Sequence, residues 1–297
     1  MPRALIAGCG YVGAATAELF HDRGWEVEGW TASERSALAF RDNPFPVRAV
    51  DITDARAVDA AASSSCFDAV IQAVSSSGGT ADLYRRIYEQ GAKNLAKACS
   101  GARMLFISST SVYGQTDGEW VTELSVARPP RDTGRVLRTT EEFVLEQGGE
   151  VARVAGIYGP GRSALLRKFL DGTATVSGNG ERFINQVHRD DVAAALVLLS
   201  QRDRTAVPAR GSSDSGIFNV SDGHPLMERG CYATLAAHFG REMPPGNAAA
   251  VPRKRGNSNK RVSSEKLQKL GWEPRFRDFP SGLRDSVIPA LEALGLE

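Results

Sequence analysis

The feature that most constrains this chain is a glycine-rich hexapeptide placed between a strand-like run and a helical stretch. The apolar residues 4–7 (ALIA) lead directly into GCGYVG, and a helical pattern continues to residue 23. In this position Gly8 permits a tight turn, Gly10 lets the backbone approach a ligand, and Gly13 lets helix and strand pack closely. The segment therefore predicts the first strand–turn–helix unit of a parallel sheet.

The remainder of the first half repeats this alternation of apolar runs and helical stretches. It predicts strands at 25–30, 47–50, 68–74, 103–108 and 151–155, and helices at 54–62, 81–98 and 136–147. The order is typical of a doubly wound parallel sheet, whose ligands lie at the carboxyl ends of the strands. We therefore predict an α/β fold with a dinucleotide-binding Rossmann domain at residues 1–160.

The second half is organised differently, with helices separated by turn-rich segments. The patterns predict helices at 164–170, 191–200, 227–239 and 263–270. Residues 253–261 are predicted to be an exposed loop. We expect residues 161–297 to form mainly a smaller C-terminal substrate lobe, with segments near 185–220 returning to the Rossmann domain.

Composition and charge exclude several classes of function. The 36 basic and 35 acidic side chains leave a formal charge of +1, so no overall field favours nucleic acid. No run of about 18 apolar residues is present to span a membrane. The cysteines, at positions 9, 66, 99 and 231, show neither paired nor metal-ligand spacing, which predicts reduced thiols, no metal site and a cytoplasmic location.

The glycine segment is itself the strongest indication of a ligand. The predicted helix begins at Tyr11, and Val12 and Gly13 belong to its first turn. This turn offers free backbone N–H groups and the positive end of the helix dipole to a pyrophosphate. A carboxylate at the tip of the second strand would favour NAD, because it binds ribose hydroxyls and repels a 2′-phosphate. The tip instead carries Thr31, followed by Ser33 and Arg35. Hydroxyls and an arginine favour NADP, and NAD remains the alternative because Glu34 lies between them.

Several later segments, in order, resemble the extended short-chain dehydrogenase/reductase family, the NAD-dependent epimerase/dehydratase group. They are DITD at 51–54, VIQAV at 70–74, FISSTSVYG at 106–114, RVAGIYGPG at 153–161, VHRDDVA at 187–193 and FNV at 218–220. The resemblance covers nearly the whole chain. It implies that Asp51 and Ile52 contact adenine and that Ala73 and Val74 run under the coenzyme. It also places Ser109 at the family's catalytic Ser or Thr.

The chain departs from that family at its catalytic tyrosine. The family uses a Tyr and a Lys four residues later, on the helix after the fifth strand. Alignment on Glu142 puts Gly134 at the Tyr and Arg138 at the Lys. None of the six tyrosines has a Lys four residues on. An atypical active site is therefore expected.

Other side chains are candidates for the missing chemistry. Arg138 could hold the coenzyme ribose as a fixed charge, Ser109 could bond a substrate oxygen, and Tyr113 could replace the proton donor. His188 is a candidate on its chemistry alone. For each of these a structural role is the alternative. In the family the basic loop lies near substrate phosphates, so residues 257–260 (NSNK) would suit a nucleotide diphosphate, unless they form a solvated surface run.

Two functions stay open on these grounds. The first is an NAD(P)-dependent oxidoreductase or epimerase/dehydratase-like enzyme that acts on a sugar or nucleotide-sugar-like substrate. The second is a non-catalytic NAD(P)-binding sensor or scaffold, which the absent tyrosine favours. The retained Ser109 and the full-length C-terminal lobe favour the enzyme. The resemblance also makes a homodimer a candidate assembly.

Overall fold

The computed structural model describes residues 1–76, 78–202, 216–247, 258–293 and 295. The chain divides into two compact units made of interleaved segments. The first contains residues 1–112, 127–153 and 192–218, and the second contains 113–126, 154–191 and 219–297. Each unit draws on both halves of the chain. The predicted division into domains at residue 160 stays a prediction.

The first unit is built on a seven-stranded parallel sheet. Its strands are β1 (Arg3–Ala7), β2 (Glu26–Thr31), β3 (Val47–Ala49), β4 (Ala69–Gln72), β5 (Arg103–Ser109), β7 (Glu150–Val154) and β12 (Ile217–Val220). They lie in the order β12-β7-β5-β4-β1-β2-β3. The order reverses between β1 and β4, which is the switch point where ligands bind in this architecture.

The helices of this unit fall where the periodicity predicts them, except the short helix at Glu34–Leu38, which was not predicted. They are α1 (Tyr11–Asp22), α2 (Glu34–Leu38), α3 (Ala55–Ala62), α4 (Ala81–Tyr84), α5 (Gly91–Ala98), α6 (Asp132–Glu146) and α8 (Arg189–Gln201). Gly24 follows α1 with φ of 79°, the left-handed conformation that glycine favours after a helix. Asp54 caps α3 by accepting from the N–H groups of Arg56 and Ala57.

The predicted helix at 81–98 is interrupted by a π-helical segment at Arg85–Gln90. The amide nitrogen of the buried Gln72 side chain donates to the carbonyls of Ile87 and Tyr88, at 3.4 and 3.0 Å. A π segment shifts the helical hydrogen-bond pattern. The donor belongs to strand β4, which is distant from the helix in sequence. The local periodicity of residues 81–98 does not contain this contact and therefore predicts an uninterrupted helix.

The second unit consists of short strands and helices around its own apolar cluster. Tyr158, Leu166, Phe169, Leu235 and Phe279 lie in this cluster. Its strands are β6 (Trp120–Val121), β8 (Gly156–Tyr158), β9 (Val176–Ser177), β10 (Phe183–Ile184), β11 (Gln186–His188), β13 (Leu226–Met227), β14 (Gly246–Asn247) and β15 (Arg261–Val262). Its helices are α7 (Ala164–Leu170), α9 (Glu228–Phe239), α10 (Glu265–Gln268), α11 (Phe279–Gly282) and α12 (Ile288–Glu292), with a π segment at Leu283–Val287.

Candidate functional site

The glycine segment Gly8–Gly13, here called the glycine loop, is held in place through hydrogen bonds of its backbone. The N–H groups of Gly8 and Cys9 both donate to the carbonyl of Trp30, at 3.0 and 2.8 Å. Gly8 has φ of +99°, and a Cβ built on it would lie 2.6 Å from the carbonyl carbon of Ala73. A Cβ on Gly13 would overlap the carbonyl oxygen of Gly8. Both glycines are therefore required by packing.

Gly10 differs from these two glycines, because a Cβ built there meets no atom within 4 Å. Gly10 is the N-cap of α1 and provides no side-chain acceptor, and the first turn contains no acidic residue. By helix geometry, first-turn N–H groups such as those of Val12 and Gly13 have no acceptor within the helix. The start of α1 thus combines open space, donors and a positive dipole end, which fits a pyrophosphate.

The tip of β2 brings together the residues predicted to discriminate between the coenzymes. The Thr31 hydroxyl donates to the carbonyl of Ser33 at 3.2 Å. The Ser33 hydroxyl accepts from the Ser36 N–H and caps α2. Arg35 is exposed, and no ion pair to it is found within the described part of the chain. The arginine is therefore the available cation at this tip.

The ends of β3 and β4 place the residues predicted to line the adenine and the nicotinamide. Asp51 is exposed and accepts from the Thr53 N–H, whereas Ile52 is buried and its carbonyl accepts from Asn94. At the end of β4, which lies beside β1, the Ala73 N–H donates to the carbonyl of Ala7 at 2.7 Å. A Cβ on Gly8 would also overlap the Val74 backbone, so that strand end lies directly against the glycine loop.

Ser109 ends strand β5, and its hydroxyl accepts from the Ser111 N–H at 3.2 Å. The neighbouring hydroxyl of Ser108 donates instead into the interior, to the fully buried Glu141. Arg153 also donates to that carboxylate, at 2.7 Å through Nη2. Sequence reasoning missed this network. Its signals were a glutamate on the buried face of a helix and an arginine inside an apolar strand.

Arg138 belongs to the same network. Its guanidinium pairs with both Glu141 and Glu142. The predicted roles of Arg138 in catalysis and in ribose binding stay predictions, but its charge is already neutralised. Gly134, aligned with the family's tyrosine, is buried, and a Cβ there would lie 2.6 Å from Cβ of Pro129. A tyrosine side chain therefore does not fit at position 134 in this conformation.

Tyr113 lies in the second unit and is fully buried. Its hydroxyl lies 3.0 Å from the carbonyl of Thr122 and 2.9 Å from Oδ1 of Asn219. Both neighbours are acceptors, and a phenol has one proton to share between them. The geometry is that of a structural tyrosine, and its predicted role as proton donor stays a prediction.

The prediction of an exposed basic loop is wrong for the described segment Ser258–Arg261, here called the lysine loop. Lys260 is only 6% exposed, and its ammonium donates to the carbonyl of Tyr113 at 3.0 Å and to the Ser258 hydroxyl at 3.1 Å. The Arg261 side chain lies between the rings of Trp120 and Phe183. Distant aromatic and carbonyl groups bury this segment, which local composition cannot show. Asn257 lies outside the described residues.

His188 is buried in the second unit, where it has a structural geometry. Its Nδ1 accepts from the Asp190 N–H at 3.2 Å, so Nε2 carries the proton and donates to the Ser286 hydroxyl at 3.0 Å. Burial lowers the pKa of His188 to about 4. The imidazole is therefore neutral at pH 7.

Buried carboxyl groups lie in the same unit as this histidine. Burial raises the pKa of Asp191 to about 6, although two backbone N–H groups donate to it. Burial raises the pKa of Asp222 well above its usual range, and its Oδ2 has no partner among the described residues. Tyr158 has a raised pKa because it is buried and because both carboxyls lie close to it. This cluster favours neutral side chains.

Three further properties bear on the chemistry. All four cysteines are free thiols. Among the described residues, no group of three His, Cys, Asp or Glu side chains could hold a metal ion. None of the described helices is long and apolar enough to cross a membrane.

The fold and the glycine loop define a nucleotide-binding α/β protein of the Rossmann type. A sequence model of the NAD dependent epimerase/dehydratase family matches residues 4–220. The chain belongs to this family, as its sequence motifs suggest.

Individual proteins resemble this chain in sequence or in fold. Protein YeeZ of Escherichia coli strain K12 is 30% identical over 251 residues, which cover 82% of this chain and 86% of that protein. Two UDP-glucose 4-epimerase structures share the fold, each with a TM-score of 0.80 and with 98% of this chain and 99% of that chain covered. One is from Thermotoga maritima with UDP-glucose (19% identity), and the other is from Thermus thermophilus with NAD (22% identity).

Proposed function

We propose that this protein is an NADP-dependent oxidoreductase or epimerase/dehydratase-like enzyme that acts on a carbonyl or hydroxyl of a sugar, such as a nucleotide sugar. The observation that carries the proposal is the start of α1, where Gly10 leaves open space and no side chain caps the first turn. The nucleotide-sugar class is supported by the T. maritima and T. thermophilus structures, whose ligands are UDP-glucose and NAD.

The preference for NADP rests on the tip of β2. Thr31, Ser33 and the exposed Arg35 would meet the 2′-phosphate, and Glu34 is the carboxylate that could oppose it. Asp51, Ile52, Ala73 and Val74 would line the rest of the coenzyme. The four free thiols suit a cytoplasmic location.

Fluorescence titration with NADPH and NADH tests the coenzyme. We expect NADPH to bind more tightly, and Arg35→Ala to weaken NADPH about fivefold while NADH is unchanged, since one exposed charge pair is lost. Arg41→Ala is the matched control, because Arg41 is an exposed arginine paired with Asp42. If Arg35→Ala weakened NADPH binding no more than it weakened NADH binding, or no more than Arg41→Ala did, the assignment of NADP would be wrong.

Turnover is tested on a panel of nucleotide sugars and simple carbonyl compounds. NADPH oxidation reports a reductase, and chromatography of the products reports an epimerase or dehydratase, which consumes no coenzyme overall. We expect at least one substrate to be consumed and Ser109→Ala to slow that reaction, because the hydroxyl no longer bonds a substrate oxygen. Binding of coenzyme without turnover on the whole panel would contradict the enzyme.

Such a result would favour a second candidate function, a non-catalytic NAD(P)-binding sensor or scaffold. Specific geometry supports this alternative. The charge of Arg138 is neutralised by two glutamates, and Pro129 occupies the space that a side chain at Gly134 would need. A homodimer is a further proposal, which sedimentation would test.

A further inference from the structure

A cavity of about 310 Å³ lies inside the first unit, at the edge of the sheet opposite to the glycine loop. Among its lining residues, Trp25 and Asp68 directly precede β2 and β4, and Arg103 begins β5. These strands are parallel, so the cavity lies at their amino ends. Coenzymes bind in this architecture at the carboxyl ends. The cavity is therefore separate from the proposed coenzyme site, and it is large enough for a small molecule.

Two arginines of this cavity, here called the arginine cavity, share one carboxylate. Arg103 and Arg202 both donate to Oε1 of Glu150, at 3.1 and 3.0 Å, and Arg103 also donates to the carbonyl of Arg202. Their side chains are only 7% and 13% exposed. A guanidinium has five N–H donors, so most donors of this pair have no acceptor among the described residues. The pair is therefore prepared to bind an anion.

The charge of the arginine cavity favours a monoanion. Among the described residues, two buried guanidiniums face the single buried carboxylate of Glu150, which leaves one positive charge in excess. Asp68 also lines the cavity, but it is exposed and accepts from the Arg3 N–H at 2.7 Å, so water screens its charge. A carboxylate balances one excess charge, and its two oxygens match the paired N–H groups of a guanidinium. A phosphate ester, with a charge of about −1.5 to −2 at pH 7, would exceed it.

Two aromatic rings supply the apolar part of the lining. Trp25 is half-buried, and its ring packs edge-on against Phe20 with 4.9 Å between the ring centroids. Phe67 is buried and packs in the same manner against Trp30, at 6.5 Å. Because other aromatic residues hold both rings, this wall is formed before a ligand arrives, which lowers the entropic cost of binding. Aromatic rings of this kind pack well against a flat ring of a ligand.

We propose that the arginine cavity is a second ligand site, which binds a small aromatic carboxylate. Arg103 and Arg202 bond the carboxylate group, and the aromatic ring of the ligand contacts Trp25 and Phe67. Gln201, at the end of α8, lines the cavity and is exposed, so the ligand can enter from solvent. The site goes beyond the proposed function and does not depend on it, because neither the coenzyme nor a sugar takes part.

Benzoate is the probe for this site, and the indole N–H signals of the four tryptophans in a two-dimensional NMR spectrum are the readout. We expect benzoate to shift the Trp25 signal with a dissociation constant of about 1 mM, the strength usual for so small a ligand. Trp25→Phe assigns that signal. The Trp272 signal should not move, because its N–H donates to the Asp191 carbonyl in the second unit.

Two analogues of benzoate separate its charge from its ring. Benzamide keeps the ring without the charge, and acetate keeps the charge without the ring. Each should bind at least about tenfold more weakly than benzoate, because one class of contact is lost. An unmoved Trp25 signal at about ten times the expected dissociation constant of benzoate would overturn the proposal. Equal binding of benzoate and benzamide would also overturn it.

Substitutions on the two sides of the arginine–glutamate pair should act in opposite directions. Arg202→Gln removes donors and should weaken benzoate about tenfold. Glu150→Gln removes the carboxylate that competes for the same arginines and should tighten benzoate several fold, whereas mere damage to the cavity would weaken it. Arg41→Gln, at an exposed arginine paired with Asp42, is the control and should bind as the wild type does.

Unchanged benzoate binding by Arg202→Gln, or weaker binding by a folded Glu150→Gln protein, would show that the arginine pair does not form the site. Far-UV circular dichroism checks that each variant is folded. Arg202→Gln keeps the ion pair between Arg103 and Glu150, so it decides the question alone if Glu150→Gln does not fold. NADPH binding is measured separately, so failure of this inference leaves the proposed function as it stands.

Discussion

The glycine loop and the lysine loop are both candidate ligand-binding segments, but different interactions build them. In the glycine loop, Gly8 and Gly13 pack so closely that no side chain fits, and backbone N–H groups are offered to the ligand. The lysine loop instead contains a buried charged side chain, Lys260. Its ammonium is held by the carbonyl of Tyr113, which is 147 residues away.

The difference separates two ways of preparing a binding site. A backbone site depends on short sequence spacing and on residues that lack side chains, so it is visible as a motif. A side-chain site depends on distant segments that bury a polar group and satisfy only part of its hydrogen bonding. A substitution in the glycine loop should therefore act by steric overlap, and one around the lysine loop by loss of hydrogen bonds.

The largest effect is expected inside the first unit, where side chains also matter. Arg153→Met removes the main partner of the fully buried Glu141 and should lower the free energy of unfolding by about 4 kcal/mol, because a buried charge loses its counter-ion. Arg138→Met should cost about 1 kcal/mol or less, since its guanidinium is partly exposed and Glu141 keeps Arg153. Chemical denaturation measures both. Similar losses for the two variants would show that the Glu141–Arg153 pair is not dominant.

Next in size is Gly8→Ala, which tests the backbone rule directly. Its positive φ and the close approach of Ala73 should cost about 3 kcal/mol and abolish coenzyme binding. Gly10→Ala is the matched variant, because its Cβ meets no protein atom. It should unfold at nearly the same denaturant concentration as the wild type while binding NADPH more weakly. A stable Gly8→Ala protein that binds coenzyme would break the comparison.

A smaller effect is expected from Asn185→Ala in the second unit. The variant leaves the carbonyl of Lys260 and the N–H of Val262 without their side-chain partner, at a cost of about 2 kcal/mol. Loosening of the loop should also raise the pKa of Lys260 toward the usual value for a lysine, measured from the pH dependence of its acetylation by acetic anhydride. Asn179→Ala, an exposed asparagine of the same unit, should change neither property. An unchanged Lys260 titration would show that Asn185 does not hold the loop.

The smallest effect, counted per pH unit, is a pH dependence of stability. Burial raises the pKa of Asp222 in the folded state, so above about pH 4 the folded protein keeps a proton that the unfolded chain has lost. The free energy of unfolding should therefore fall as pH rises, by up to about 1.4 kcal/mol per pH unit for this one group. The buried Asp191, His188 and Lys260 also have shifted pKa values, and they titrate alike in the wild type and in an Asp222 variant, so the difference between these two proteins isolates Asp222.

Asp222→Asn should remove this contribution to the pH dependence above about pH 4, measured by urea denaturation at fixed ionic strength. The exposed Asp285, changed to Asn, is the control in the same unit and should leave the slope as it is in the wild type. Identical pH dependences of stability in the wild type and in Asp222→Asn would contradict the raised pKa of Asp222.

Prediction from sequence worked for elements whose signals are local. Most strands and helices of the first unit and the αβ order were predicted from apolar periodicity and glycine positions, and the structure confirms them, whereas the short helix at Glu34–Leu38 was not predicted. The π segment at Arg85–Gln90 was missed because Gln72, on a different strand, donates to it. The short strands of the second unit were missed because most span only two or three residues, and their pairing partners lie far along the chain.

By itself the sequence determined the class of fold, the family and the position of the glycine loop. Each of these depends on residue spacings that are short and local along the chain. Only the tertiary structure decided which polar side chains are free to react. In the tertiary structure Arg138 is paired with two glutamates, and the Tyr113 hydroxyl is bonded to Asn219. Lys260 is buried against the carbonyl of Tyr113, and no carboxylate of the described residues pairs with it. The physical reason is that burial and ion pairing set the charge and pKa of a side chain, and both are established by residues distant in sequence.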